Sequence, residues 1–147
     1  MKIICFGKQK TSSYNDLLLE FYKRVGNELE VIELSHKNGN KNEIIKREEE
    51  LLGNYLKKQN INIFLDSRGK EFSSENFAYQ LTELQLQNKP LIFFIGGAYG
   101  FSANFLAKAD LILSLGKMTM PHMLARLILI EQIYRAKMIA HNHPYHK

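Results

Sequence analysis

The chain has 147 residues, a hydrophobic fraction of 45% and a formal net charge of +5, which favours one domain with a packed core and excludes a disordered chain. Its one cysteine, Cys5, excludes an internal disulfide or a cysteine-built zinc site, and its place in an apolar run makes it a small buried hydrophobe rather than a reactive thiol. The apolar run behind Met1-Lys2 is too short for a signal peptide, and the longest greasy stretch, residues 123–140, is broken by Arg126, Glu131, Arg135 and Lys137, so the expectation is a cytoplasmic protein with no membrane contact.

Five apolar runs predict strands at residues 3–6, 29–34, 61–65, 91–95 and 111–115. Several are continuous rather than alternating, the pattern of parallel strands covered on both faces. Helical patterns fall between them. Residues 14–25 carry Leu17, Leu18, Phe21 and Val25 at helical spacing, with Ser12 or Ser13 as cap. His36 to Asn42 is the most loop-like segment. Residues 41–58 are charged, with Ile44, Ile45, Leu51, Leu52, Tyr55 and Leu56 along one face. Ser73 or Ser74 caps a helix through Phe77, Leu81, Leu84 and Leu86. The last helix is apolar nearly all round, from Met123 to Ile139, as expected of a helix in a subunit interface. Within it, Glu131 and Arg135 are spaced for an i,i+4 pair. Strand–helix alternation predicts an α/β domain over residues 1–147, with a mostly parallel sheet flanked by helices.

Ligands of such sheets bind beyond the carboxyl ends of the strands. Three ends here are chemically unusual: Leu65-Asp66-Ser67-Arg68-Gly69-Lys70, Gly96-Gly97-Ala98-Tyr99-Gly100, and Gly116-Lys117-Met118-Thr119-Met120-Pro121-His122. If their strands are neighbours, the loops form one pocket. The glycine loop lets backbone approach a ligand. It is neither a dinucleotide fingerprint nor a P-loop, because it follows the fourth strand, lacks a ribose-binding acid about 20 residues on and lacks Gly-Lys-Ser/Thr. Met118 and Met120 suit an adaptable apolar wall such as one around an adenine ring, and core packing is the competing reading. His122, after Pro121 at a helix start, is a candidate base or a structural hydrogen-bonder.

The C-terminal third is one-sided in charge. After Asp110 the only acid is Glu131, against Lys117, Arg126, Arg135, Lys137 and Lys147, and four of the five histidines lie there. That balance fits a polyanionic partner or an ordinary basic surface. His141, His143 and His146 lack metal-ligand spacing. The tail reads either as an RNA contact or as a frayed end.

Leu65-Asp66-x-x-Gly69-Lys70, Phe94-Ile95-Gly96-Gly97-x-x-Gly100-Phe101-Ser102, Ser114-Leu115-x-x-Met118-Thr119-Met120-Pro121-His122, Glu131-Gln132-x-Tyr134-Arg135-Ala136 and the Tyr145-His146-Lys147 end together resemble the RlmH group of SPOUT methyltransferases. The resemblance runs in order over essentially the whole chain, which is slightly short around the turns after Val25 and Lys37. It implies a C-terminal trefoil knot, which general topology rules would exclude. It further implies a homodimer, S-adenosyl-L-methionine as methyl donor with no metal, and methylation of N3 of a pseudouridine in 23S ribosomal RNA. It places the donor on residues matching Leu65, Gly96, Leu115, Gly116, Lys117, Met118, Thr119 and Met120. Methyl transfer needs alignment and loss of the imide proton, for which His122, Arg126, Tyr145 and His146 are the candidates, the last two reaching across a dimer. A non-catalytic RNA-binding module of the same fold and a flavodoxin-like nucleotide-binding enzyme are the alternatives.

Overall fold

A computed structural model describes residues 1–7, 14–35 and 38–147. The elements run β1 (Lys2–Phe6), α1 (Tyr14–Val25), a 3-10 turn (Gly26–Glu28), β2 (Glu30–Leu34), α2 (Lys41–Gly53), β3 (Ile61–Glu71), α3 (Ser74–Gln85), β4 (Leu91–Ile95), α4 (Ala103–Leu106), β5 (Leu111–Ser114) and α5 (His122–Ala140). The five strands form one sheet in the order β2-β1-β4-β3-β5, and every pairing is parallel. The expected α/β class with helices on both faces is what the chain adopts. The proposed cap at Ser12 or Ser13, and residues 36 and 37 of the loop-like segment, lie outside the described residues.

Continuous apolar strands place alternate residues on opposite faces, and both faces are covered. Ile3, Cys5, Ile63, Leu91, Phe93, Ile95 and Leu113 pack beneath α1, α3 and α5. Ile4, Phe6, Phe64, Ile92 and Phe94 pack on the other side against Leu52 of α2 and against Phe101, Phe105 and Leu106 around α4. On that second face the Phe64 ring lies 4.9–5.3 Å from those of Phe94, Phe101 and Phe105.

Local chemistry sets most helix starts. Asn40 and Glu43 form a reciprocal capping box on α2, Ser73 caps α3 through the Asn76 N–H at 3.2 Å, and Ser102 caps α4 through the Phe105 N–H at 3.2 Å. Helix α2 stops at Gly53 rather than running to residue 58, because the glycine weakens it. The chain there tightens through i→i+3 bonds from Asn54, Tyr55 and Leu56. Tyr55 and Leu56 still pack on the core.

Two further departures matter more. β3 does not end at residue 65. It resumes its pairing with β5 at Lys70 and Glu71, after an irregularity that leaves residues 66–69 outside the ladder. And α5 buries one side of its apolar surface within its own chain, through Leu127, Leu129, Ile130, Ile133 and Ala136. Ile130 and Ile133 are 0% and 1% exposed against the sheet, α1 and α3. A charge at either position would therefore unfold the domain rather than report on a subunit interface. Ile130→Ala is expected to cost about 2–5 kcal/mol in urea denaturation. Leu86→Ala, at a side chain 69% exposed, should stay within about 0.5 kcal/mol. Equal losses at both positions would contradict this core.

Candidate active site

β4, β3 and β5 are adjacent, so the loops leaving their carboxyl ends converge. They enclose a cleft of about 780 Å³ lined by Leu65–Arg68, Ile95–Phe101, Leu113, Leu115, Gly116, Met118–His122 and Ala125. Of the eight residues expected to hold a donor, seven line it. Lys117 is the exception and is absent from the lining.

Each wall has a local reason for its shape. The excursion at residues 66–69 is closed by Asp66, whose carboxylate accepts from the Arg68 backbone N–H at 3.0 Å and from Arg68 Nε and Nη2 at 2.7 and 2.8 Å. Arg68 Nη2 also donates to the Phe101 carbonyl at 3.0 Å, tying the first wall to the second. Gly69 must be glycine because a Cβ there would stand 2.5 Å from the Ile112 carbonyl oxygen. In the second wall, the Gly97 carbonyl accepts from the Gly100 N–H at 3.1 Å, and Gly100 has φ +65°. A Cβ on Gly96 would point at Gly100 and Phe101, 3.2–3.3 Å away, within the loop itself. A larger residue at Gly96 therefore deforms the loop, and what this glycine offers a ligand is its backbone. In the third wall, Gly116 at φ +129° donates to Ser114 Oγ at 3.1 Å, and Met118 is 78% exposed at the rim.

The four candidate proton-handling residues part company. His122 lines the cleft, its Nε2 standing 2.8 Å from where a Cβ on Gly7 would be. Arg126, one turn on, is 2% exposed and turned into the protein. Its Nη1 donates to Glu33 at 2.6 Å, and its Nε and Nη2 donate to the Tyr22 hydroxyl at 3.0 and 2.6 Å. That guanidinium anchors α5 over β2 and α1. Nearby Cys5 is buried, which pushes its thiol up to about 11 against the opposing pull of Arg126, so it is protonated and inert at neutral pH.

The tail is folded back along α5 rather than frayed. Tyr145 donates its O–H to Glu131 Oε1 at 3.0 Å, meets the Tyr134 ring edge-on at 4.8 Å, and lies under the Arg135 guanidinium. Arg135 grips the same Glu131 oxygen through Nε and Nη2, at 3.0 and 2.6 Å. The ring of His146 links Arg135 to Glu75 of α3, with its Nε2 2.9 Å from the Glu75 carboxylate. Burial first, and then donation to Glu131, holds the Tyr145 phenol above its ordinary value. Glu131 lies nine residues along the helix from His122, roughly 13 Å at helical rise. Neither Tyr145 nor His146 lines the cleft of its own chain.

Glu48 and Glu49 of α2 also hold the glycine loop, through the backbone N–H groups of Gly97 and Ser102. Sequence reasoning missed them, since three consecutive acids at 48–50 look like a solvated face. Among the described residues no cluster of three His, Cys, Asp or Glu side chains could hold a metal ion, and no helix is long and apolar enough to cross a membrane.

A parallel sheet with a cleft at adjacent strand ends, walled by glycine backbone and apolar loops, defines the class: an α/β domain with a candidate small-molecule site beside a basic C-terminal segment. The family described as "Predicted SPOUT methyltransferase" matches residues 1–146, and the chain belongs to it. It is 37% identical over 147 residues to the Ribosomal RNA large subunit methyltransferase H of Acidiphilium cryptum, covering 100% of this chain and 93% of that one. It is 39% identical over 155 residues to the protein of that name from Carboxydothermus hydrogenoformans, covering 99% and 98%. The fold is shared with the SpoU methyltransferase AviRb of Streptomyces viridochromogenes, solved in complex with the cofactor AdoMet. That likeness has a TM-score of 0.51 at 9% identity and covers 94% of this chain and 58% of that one.

The Asp66–Arg68 pair makes the first wall sensitive to acid. Hydrogen bonding from Arg68, opposed by partial burial, holds the Asp66 carboxyl below its ordinary 3.8. A carboxylate lowered on folding contributes stability above its unfolded value and loses it as the pH falls through the folded one. The stability difference between wild type and Asp66→Asn should be constant well above pH 3.8 and shrink below it, read by urea denaturation across that range. A difference that grows in acid would contradict the pairing.

Proposed function

We propose that this protein transfers the methyl group of S-adenosylmethionine to N3 of a pseudouridine in 23S ribosomal RNA, acting in the cytoplasm as a homodimer with a C-terminal trefoil knot. The observation that carries the reading is the cleft beyond β4, β3 and β5, in a chain similar over its whole length to proteins named for large-subunit ribosomal RNA methylation.

The cleft suits the donor on its own residues. Leu65, Leu115 and Met120 supply apolar walls for an adenosine, and the backbones around Gly96 and Gly116 supply amides and carbonyls for its polar edge. When bound, the donor supplies an electrophilic methyl on a sulfonium, and transfer forms an N–C bond as the S–C bond breaks and the imide proton leaves. What the chain contributes is alignment and a place for that proton. Of the four candidates His122 alone lines the cleft, and it is assigned the proton's removal. Arg126 holds the start of α5, and so His122, in place. Tyr145 and His146 stand away from their own cleft, which supports a second copy bringing them to it. There, with Lys147, they contact the RNA loop by stacking and charge.

Titration with S-adenosylmethionine should show one site per chain, and flavin mononucleotide should not bind. Ribosomal RNA from cells lacking the protein should lose one methylpseudouridine by mass spectrometry. Deleting residues 145–147 should abolish methylation while leaving donor affinity within about twofold, a change of a few tenths of a kcal/mol. Wild-type binding to ribosomes should weaken as salt rises. A truncated protein that methylates at the wild-type rate, or unchanged RNA in the deletion strain, would overturn the corresponding part of the proposal.

A further inference from the structure

The glycine loop between β4 and α4 is gripped from the side away from the cleft. The Gly97 N–H donates to Glu48 Oε2 at 3.2 Å, and the Ser102 N–H donates to Glu49 Oε1 at 2.7 Å. Two neighbouring carboxylates of one helix thus hold both ends of the loop. Glu48 is 2% exposed, and a carboxylate so deep in the protein is costly unless hydrogen-bonded. A Cβ on Gly97 would stand 2.0 Å from Glu48 Oε1. Gly97 is therefore glycine to admit the carboxylate, not a ligand. Arg68 completes the grip from the cleft side through the Phe101 carbonyl.

We infer that Glu48 and Glu49 are positioning residues for methyl-donor binding. They touch neither donor nor RNA, and fix the glycine loop in the shape whose backbone meets the donor. The inference rests on the cleft being the donor's site. A loop with three glycines in five residues loses much conformational freedom when ordered. Held in advance by α2, it is ordered before the donor arrives, and the gain appears in affinity. At saturating donor the loop is ordered either way, so the turnover rate is nearly indifferent to the clasp.

The test compares Glu48→Ala, Glu49→Ala, Glu48→Gln and Glu49→Gln, using calorimetric titration with S-adenosylmethionine and the donor dependence of methylation. Glu48→Ala should weaken donor binding tenfold or more, about 1.4 kcal/mol, and Glu49→Ala threefold or more. Both should keep kcat at saturating donor within twofold. The glutamine variants retain an oxygen that accepts the same N–H and should recover most of the affinity. If Glu48→Ala does not fold, the half-buried Glu49 pair decides the question alone. Alanine variants with lowered melting temperature but wild-type donor affinity would overturn the inference, as would a loss that glutamine does not restore. Met120→Ala, on the cleft wall, separates the two levels. A wild type that binds no donor overturns the cleft reading itself. Donor binding that responds to Met120→Ala and ignores both glutamates overturns the clasp alone.

Discussion

The structure turns on the pairing of β3 with β5. Leu65 and Lys70 both register against Leu113, so four residues leave the ladder and the strand then rejoins it. Gly69 makes this possible, since its missing side chain lets the returning backbone lie against the Ile112 carbonyl. At the other end of the pair, Asp110 accepts from the Asn62 backbone N–H at 2.7 Å and from its side-chain amide at 3.2 Å, which fixes the register at which β5 enters the sheet. With β5 beside β3, the loop after it opens over the same strand ends as the glycine loop. Without that adjacency the three chemically unusual loops would lie apart.

From that constraint the cleft assembles by hydrogen bonds rather than by a dedicated ligand-binding element. Arg68, thrown outward by the excursion, ties to Phe101. Helix α2 closes the glycine loop from behind. Helix α5 begins at the cleft with His122 and immediately buries a guanidinium on Glu33 and Tyr22. Removing one partner from so buried a pair is expensive, because the other charge remains stranded. The first turn of α5 is thereby held where its histidine faces the cleft, and the geometry of this wall is a consequence of core electrostatics.

Much of this was legible in the sequence. The strands at residues 91–95 and the helix at 14–25 follow from unbroken apolar runs and 3.6-residue periodicity, and the three loops stood out by composition. What escaped did so for physical reasons. The second half of β3 is polar and pairs through backbone alone, so hydropathy could not reveal it. Helix α4 is four residues long, too short to show a period. Arg126 looks like a charge breaking an apolar helix, and only the fold brings Glu33 and Tyr22 from other elements to meet it. The uniform apolarity of α5 suggested a subunit interface. The sheet, α1 and α3 consume one side of that surface within one chain. The tail's order depends on Glu131, the single acidic side chain after Asp110, which gathers Tyr145 and Arg135 at once.

The proposed site of the methyl donor is the cleft at the carboxyl ends of β4, β3 and β5. Amide hydrogen exchange with and without saturating S-adenosylmethionine tests it most directly. Protection should rise at residues 65–68, 96–101 and 115–122, and stay unchanged at residues 71–77 and 128–132 around the smaller cavity of about 300 Å³. Protection confined to that smaller cavity, or no protection at the glycine loop, would contradict it.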